Sequence, residues 1–158
     1  MLNLLILCTG NSCRSILAEA LFNQLGKQRI QAYSAGSHPT GIVNSNALAI
    51  LKRHGLATAN YFSQSWDEFA NYPIDIVITV CDEAAGELCP TYFKQAVKIH
   101  WGLADPAKVK GTEKEIEIAF ENTYRALEIR INQMLALPLE DLTDQELTIL
   151  LNTIGEIK

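Results

Sequence analysis

The chain reads as an α/β fold, with a four-stranded parallel sheet and helices on both faces. Three observations predict it. Four short apolar runs, at residues 4–7, 30–36, 74–80 and 97–101, alternate with stretches of helical periodicity. The strongest of them, Ile74-Asp-Ile-Val-Ile-Thr-Val80, is β-branched and nearly all apolar, the mark of a central strand buried on both faces. Each run is separated from the next by enough chain for the covered, right-handed crossover that parallel neighbours require.

Leu4-Leu-Ile-Leu7 opens the sheet, and Ser15-Ile-Leu-Ala-Glu-Ala-Leu-Phe22 continues as a helix with Leu17, Ala20, Leu21 and Leu25 on one face and Gly26 as its stop. Ile30–Gly36 is a second strand, and Ser37-His-Pro-Thr-Gly41 is loop by its Pro and Gly. Residues 44–54 form an amphipathic helix that turns Ala47, Leu48 and Leu51 inward and ends at Gly55. Ser65-Trp-Asp-Glu68 has the form of a capping box before a short helical turn. After the strands at 74–80 and 97–101, Thr112-Glu-Lys-Glu115 is a second box. It opens a long helix carrying Ile116, Phe120, Tyr124, Leu127, Ile131 and Leu135, which Pro138 ends. A third box, Thr143-Asp-Gln-Glu146, starts a last helix with Leu147, Leu150, Leu151 and Ile154. With no repeat, linker or low-complexity stretch, residues 1–158 are expected to form one domain, a core over 1–138 and a helical extension over 139–158 that packs back on it.

Composition narrows the function. A net charge of −5 argues against a nucleic-acid partner and leaves any anion affinity to a local site. No segment approaches the ~18–20 apolar residues of a membrane helix. The N-terminal run lacks the basic flank and length of a signal peptide, so a cytoplasmic protein is expected. Structural disulfides are rare in that compartment. The four cysteines, at 8, 13, 81 and 89, also lack the paired spacing of a zinc site, so a redox role is the better reading and no metal or organic cofactor is expected.

The chemistry is concentrated in Cys8-Thr-Gly-Asn-Ser-Cys-Arg14, which joins the carboxyl end of the first strand to a helix N-terminus. Backbone N–H groups converge at such a junction and the helix dipole favours negative charge. Thr9, Gly10 and Ser12 are small enough to let the chain curl round a tetrahedral anion, and Arg14 can fork onto its oxygens. Cys8 at the base of this cradle is the expected nucleophile, with a pKa lowered into the range of roughly 3.5–7.5. Cys81 and Asp105 each follow the end of another strand, so topology places Cys8, Cys81 and Asp105 on one rim.

The string CTGNSCRS, with its Cys-x5-Arg spacing, resembles the signature loop of the low-molecular-weight protein tyrosine phosphatases and their relatives, the thioredoxin-coupled arsenate reductases. The matching motifs run from residue 2 to about 137. In the phosphatase branch the Asp-Pro aspartate protonates a leaving phenol and two tyrosines usually follow it; here Asp105-Pro-Ala-Lys-Val carries none. Val-Ile-Thr-Val-Cys81, Glu-Leu-Cys89-Pro and His100-Trp-Gly-Leu-Ala-Asp-Pro-Ala107 resemble the reductase branch. That resemblance implies attack by Cys8 on arsenate and then by Cys81 on Cys8, which releases arsenite. Cys89 would next attack Cys81, leaving a disulfide for thioredoxin as the reductant, with Asp105 as general acid. The resemblance also makes Thr9, Gly10, Asn11, Ser12, Cys13 and Ser15 the oxyanion-binding loop, with Asn11 and Ser15 bracing it and Cys13 chiefly packing.

The match has departures. Seven residues lie between Cys81 and Cys89, one more than the branch's usual spacing. A regular helix over 82–88 would hold the two about 12 Å apart, too far for a disulfide, so the segment is expected to loop or unwind. Some such reductases hold a potassium ion through an Asn, a Glu, a Ser and an Asp. Asn11, Glu19 and Ser34 match three of these, but Gln64 stands where the acid belongs. His38, His54 and His100 read as structural or surface residues. Two other readings remain open: a phosphatase whose Cys81 and Cys89 protect Cys8 from oxidation, and a non-catalytic oxyanion or redox sensor. A monomer is expected, the alternative being that the last helix pairs with another chain instead of packing back.

Overall fold

The computed structural model describes residues 1–82 and 90–157. Strands β1 (Leu2–Leu7), β2 (Ile30–Ala35), β3 (Ile76–Thr79) and β4 (Val97–His100) form one parallel sheet in the order β2-β1-β3-β4. β1 starts earlier than its apolar run because Leu2 and Asn3 pair with Ile30 and Gln31, so backbone pairing carries the strand past the hydrophobic signal. The α-helices among the described residues are α1 (Arg14–Gly26), α2 (Ser45–Arg53), α3 (Glu113–Leu135) and α4 (Asp144–Ile154).

Alternation along the strands separates two apolar layers. Leu4, Ile6, Ile76, Ile78, Val97 and Ile99 point to one face, which all four α-helices cover with Leu17, Leu21, Leu51, Phe120, Leu127 and Leu151. Leu5, Leu7 and Val77 point to the other, where 3-10 turns at Trp66–Phe69 and Thr91–Phe93 contribute Trp66, Phe69 and Phe93.

Local signals hold with instructive exceptions. Thr112 and Thr143 form reciprocal capping boxes with Glu115 and Glu146. The Ser65 hydroxyl accepts from Asp67 N–H, and the turn after it is 3-10, too tight for a reciprocal capping box with the Glu68 side chain. Gly26 does not stop α1 by adopting a left-handed conformation; Lys27 does that, with φ 37°. A Cβ on Gly26 would lie 2.9 Å from Ile30 Cβ, so the glycine lets α1 run close against the start of β2.

The extension packs back on the sheet. Trp101, fully buried and stacked on Phe22, donates its indole N–H to Leu151 O at 2.8 Å. Asn152 Oδ1 accepts the His100 N–H of edge strand β4. No helix among the described residues is long and apolar enough to cross a membrane.

Because β2 lies on one side of β1 and β3 on the other, the chain leaves β1 and β3 in opposite directions. A crevice therefore opens beyond their carboxyl ends, at the switch point where open α/β sheets bind ligands.

Candidate active site

Residues 8–14 wrap this crevice, and their carbonyls reveal how. Thr9 O accepts from His38 N–H at 3.0 Å, Gly10 O from Thr40 N–H at 3.0 Å and from Ser63 Oγ at 3.0 Å, and Ser12 O from Asn44 N–H at 2.8 Å. A trans peptide points its N–H opposite to its C=O, so carbonyls drawn outward turn the amides of Gly10 and Cys13 toward the inside of the loop. The cradle is thus held open by the chain around it rather than by its own residues alone. Gly36 sets how near that chain can come, since a Cβ there would sit 2.4 Å from Thr9 O and 2.6 Å from Cys8 O.

Asn11 and Ser15 are fully buried and brace the loop from below instead of facing an anion. Asn11 takes a left-handed φ of 45°, a conformation its short polar side chain tolerates. Its Nδ2 donates to Ser15 Oγ at 2.8 Å and Ser34 Oγ at 3.0 Å, its Oδ1 accepts from Gln64 N–H, and its own N–H returns to Cys8 O. Thr9 also departs from the expected role, since its N–H donates to Cys81 Sγ at 3.3 Å and its Oγ1 lies 3.7 Å from the same sulfur.

Cys8, Cys81 and Asp105 meet on one rim. The Cys8 and Cys81 thiols hydrogen-bond, both are reduced, and Cys81 is fully buried. Arg14 Nη2 lies 3.5 Å from Asp105 Oδ2, and Nη1 donates to Leu103 O at 2.8 Å. Arg14 Nε is buried with no hydrogen-bond partner among the described residues. Such an orphaned charged donor is costly unless an acceptor reaches it. Asp105 Oδ1 accepts Ala107 N–H, which fixes the carboxylate at the start of its turn.

The Cys8 thiol is pushed well above the ordinary thiol range, first by its hydrogen bond with Cys81 and then by burial, against the pull of Arg14. This corrects the expectation of a lowered pKa. Loop position and dipole set that expectation, whereas a second buried thiol next to Cys8 reverses it. Cys13, at the N-cap of α1, is pushed up to about 12 by burial and keeps a packing role. Cys89 and the expected melting segment after Asp82 lie outside the described residues.

The cation cluster does not fit its ion. Ser34 Oγ donates to Glu19 Oε1 at 2.6 Å, Gln64 Nε2 donates to Ser34 O at 3.1 Å, and both Asn11 Nδ2 contacts are donations. A monovalent cation needs converging oxygens, but here N–H and O–H groups satisfy those oxygens. The lone carboxyl, Glu19, is pushed up to about 7 by burial.

Sequence reasoning missed the outer supports of the loop. Leu103 acts through its carbonyl, and His38, Thr40 and Asn44 act through their amides, so no side-chain pattern announces them. Ser63 could be identified only from its three-dimensional contact with Gly10.

A protein-family model described as low molecular weight phosphotyrosine protein phosphatase matches residues 3–147. An arsenate reductase from Halalkalibacterium halodurans is 38% identical over 109 residues, 69% of this chain and 77% of that one. Among solved structures, the arsenate reductase of Archaeoglobus fulgidus aligns with a TM-score of 0.70 and 26% identity, covering 85% of this chain and 99% of that chain. A thioredoxin-dependent arsenate reductase from Corynebacterium glutamicum aligns with a TM-score of 0.61 and 25% identity, over 87% of this chain and 64% of that one.

Proposed function

The chain belongs to the low molecular weight phosphotyrosine protein phosphatase family, and from that premise we propose that it is an arsenate reductase running on a relay of Cys8, Cys81 and Cys89. The observation that carries the reading is the Cys8–Cys81 contact at the base of an anion cradle. A phosphatase needs one thiol there, whereas a two-electron reduction needs a second within reach of the first.

Arsenate enters with its oxygens on the inward amides of Gly10 and Cys13 and on the Arg14 guanidinium, whose Nε then gains the acceptor it lacks. The Arg14 guanidinium and the inward amides favour thiolate character at Cys8 and offset the opposing negative charge of the arsenate. Its sulfur bonds to arsenic, and one arsenate hydroxyl leaves as water. The thiol proton reaches that water through Asp105, which Ala107 N–H and Arg14 hold at the rim.

Cys81 then attacks the Cys8 sulfur. The S–S bond forms, the S–As bond breaks, and its electron pair stays on arsenic, which departs as arsenite. Thr9 N–H donates to the Cys81 sulfur and Thr9 Oγ1 lies 3.7 Å from it, which holds that sulfur beside Cys8 for this step. Attack by the Cys89 thiolate on Cys81 returns Cys8 to its reduced form, and a thioredoxin dithiol reduces the remaining Cys81–Cys89 disulfide. The thioredoxin dependence of the Corynebacterium glutamicum relative and the cysteine pattern both support that electron source. The absence of aromatic residues after Asp105-Pro106 weighs against a phosphotyrosine substrate.

The test is arsenate-dependent NADPH consumption with thioredoxin and thioredoxin reductase, run on the native chain and on Cys81→Ser and Cys89→Ser. Steady turnover only in the native chain supports the relay. Turnover that survives Cys89→Ser removes that residue from the electron path. No turnover with either a thioredoxin or a glutaredoxin system, alongside hydrolysis of p-nitrophenyl phosphate, would make the chain a phosphatase.

A further inference from the structure

Cys81 has to keep its sulfur on Thr9 and Cys8 for its attack on the Cys8 sulfur, so its backbone must be held on both sides. On the N-terminal side the sheet does this: Val80 N–H donates to Leu7 O at 3.0 Å, and Leu103 N–H donates to Val80 O at 3.0 Å. On the C-terminal side β3 has already ended, and the next residue, Asp82, has a side chain that is 93% exposed. The Asp82 side chain is nevertheless tied, because its Oδ1 lies 3.0 Å from Nε2 of His100 on the adjacent strand.

That imidazole is itself oriented from behind. Its Nδ1 lies 2.8 Å from the hydroxyl of Thr79, buried at the end of β3, and its backbone N–H is accepted by Asn152 of α4. A hydroxyl donating to Nδ1 leaves the proton of a neutral ring on Nε2, where it faces the carboxylate. In the imidazolium, Nδ1–H donates to the Thr79 oxygen while the hydroxyl turns to Ile99 O, 3.4 Å away, and Nε2–H still points at Asp82. Either way, Thr79 keeps an N–H on the Asp82 side.

We propose that His100 is a positioning residue of the thiol relay, which Thr79 orients and which clasps Asp82 so that the Cys81 sulfur stays on Thr9 and Cys8 through that attack. The inference rests on the relay reading for its purpose, but the clasp can be measured without arsenate.

Paired substitutions separate the two ends of the ring. His100→Asn keeps a group near Nδ1 and loses the reach to Asp82, whereas His100→Gln keeps a donor near Nε2. Thr79→Val removes the orienting hydroxyl at constant shape, and Thr79→Ser retains it. Two readouts apply. The first is site-resolved iodoacetamide labelling of Cys81 in the reduced protein, with phosphate protection of Cys8 as the control for an intact cradle. The second is arsenite release in a single turnover without reductant, made in the Cys89→Ser background.

His100→Asn and Thr79→Val are expected to label Cys81 about fivefold faster and to release arsenite about fivefold more slowly, the scale of one partly exposed charge-assisted hydrogen bond. His100→Gln and Thr79→Ser are expected to stay near the native rates, and phosphate protection to be unchanged throughout. Equal labelling in all four variants overturns the clasp. So does a parallel loss of phosphate protection, which marks general damage to the fold. If the native chain releases no arsenite but labelling follows the expected order, the clasp stands and the relay reading falls.

Discussion

Glu19→Gln isolates a half-buried carboxyl under the loop. Glu19 accepts from Ser34 Oγ at 2.6 Å and lies close enough to Tyr61 to raise that phenol's pKa. Burial raises the Glu19 pKa from 4.5 to about 7, more than the Ser34 bond can offset. The folded protein therefore holds this proton more tightly than the unfolded chain does. Its contribution is fully present below pH 4.5 and is lost as pH rises through about 7. At ~1.4 kcal/mol per unit, the shift from 4.5 to about 7 is worth about 3–4 kcal/mol. Glutamine keeps an oxygen for Ser34 and has no proton to lose. Urea or thermal melts of both proteins between pH 4.5 and 8 should show Glu19→Gln gaining on the native chain as pH rises. Above pH 7 the gap should level at about 3–4 kcal/mol, about 10 °C for a chain of this size. A gap that stays constant across the range, or a variant less stable than the native protein at pH 8, would refute the reasoning.

Two further outcomes follow from the rim and the loop. Cys81→Ala removes the largest influence holding the Cys8 thiol protonated, so the midpoint of Cys8 alkylation against pH should fall; a midpoint that stays or rises contradicts the thiol–thiol bond. Gly36→Ala drives a Cβ into Thr9 O and Cys8 O and should cost about 1–3 kcal/mol of stability while weakening phosphate protection of Cys8. Native-like melting together with native-like protection would show that the loop tolerates the contact.

The strands were legible in the sequence because parallel strands buried on both faces leave continuous β-branched runs, and the threonine caps because their reciprocal bonds span only three residues. The cradle was legible for a related reason: Cys8 to Arg14 is a local loop between a strand and a helix, so spacing fixes most of its geometry. Properties set by distant chain were not. The Cys8 proton is governed by Cys81, 73 positions away, and the outward pull on the loop carbonyls comes from His38, Thr40, Asn44 and Ser63. His100 reads only as a structural or surface residue in the sequence because its partners, Thr79 and Asp82, become neighbours only once β3 and β4 pair. Glu19 and Ser34 are singled out by the resemblance as cation ligands, but only the fold shows the Ser34 hydroxyl donating to the Glu19 carboxyl.

The most direct test of the central claim omits every reductant. The reduced native chain is mixed with excess arsenate, arsenite is counted, and the protein is digested under conditions that preserve disulfides. The account predicts about one arsenite per chain, because one relay supplies two electrons, and a peptide linked through Cys81 and Cys89. No arsenite, with Cys8, Cys81 and Cys89 all still free, would contradict it.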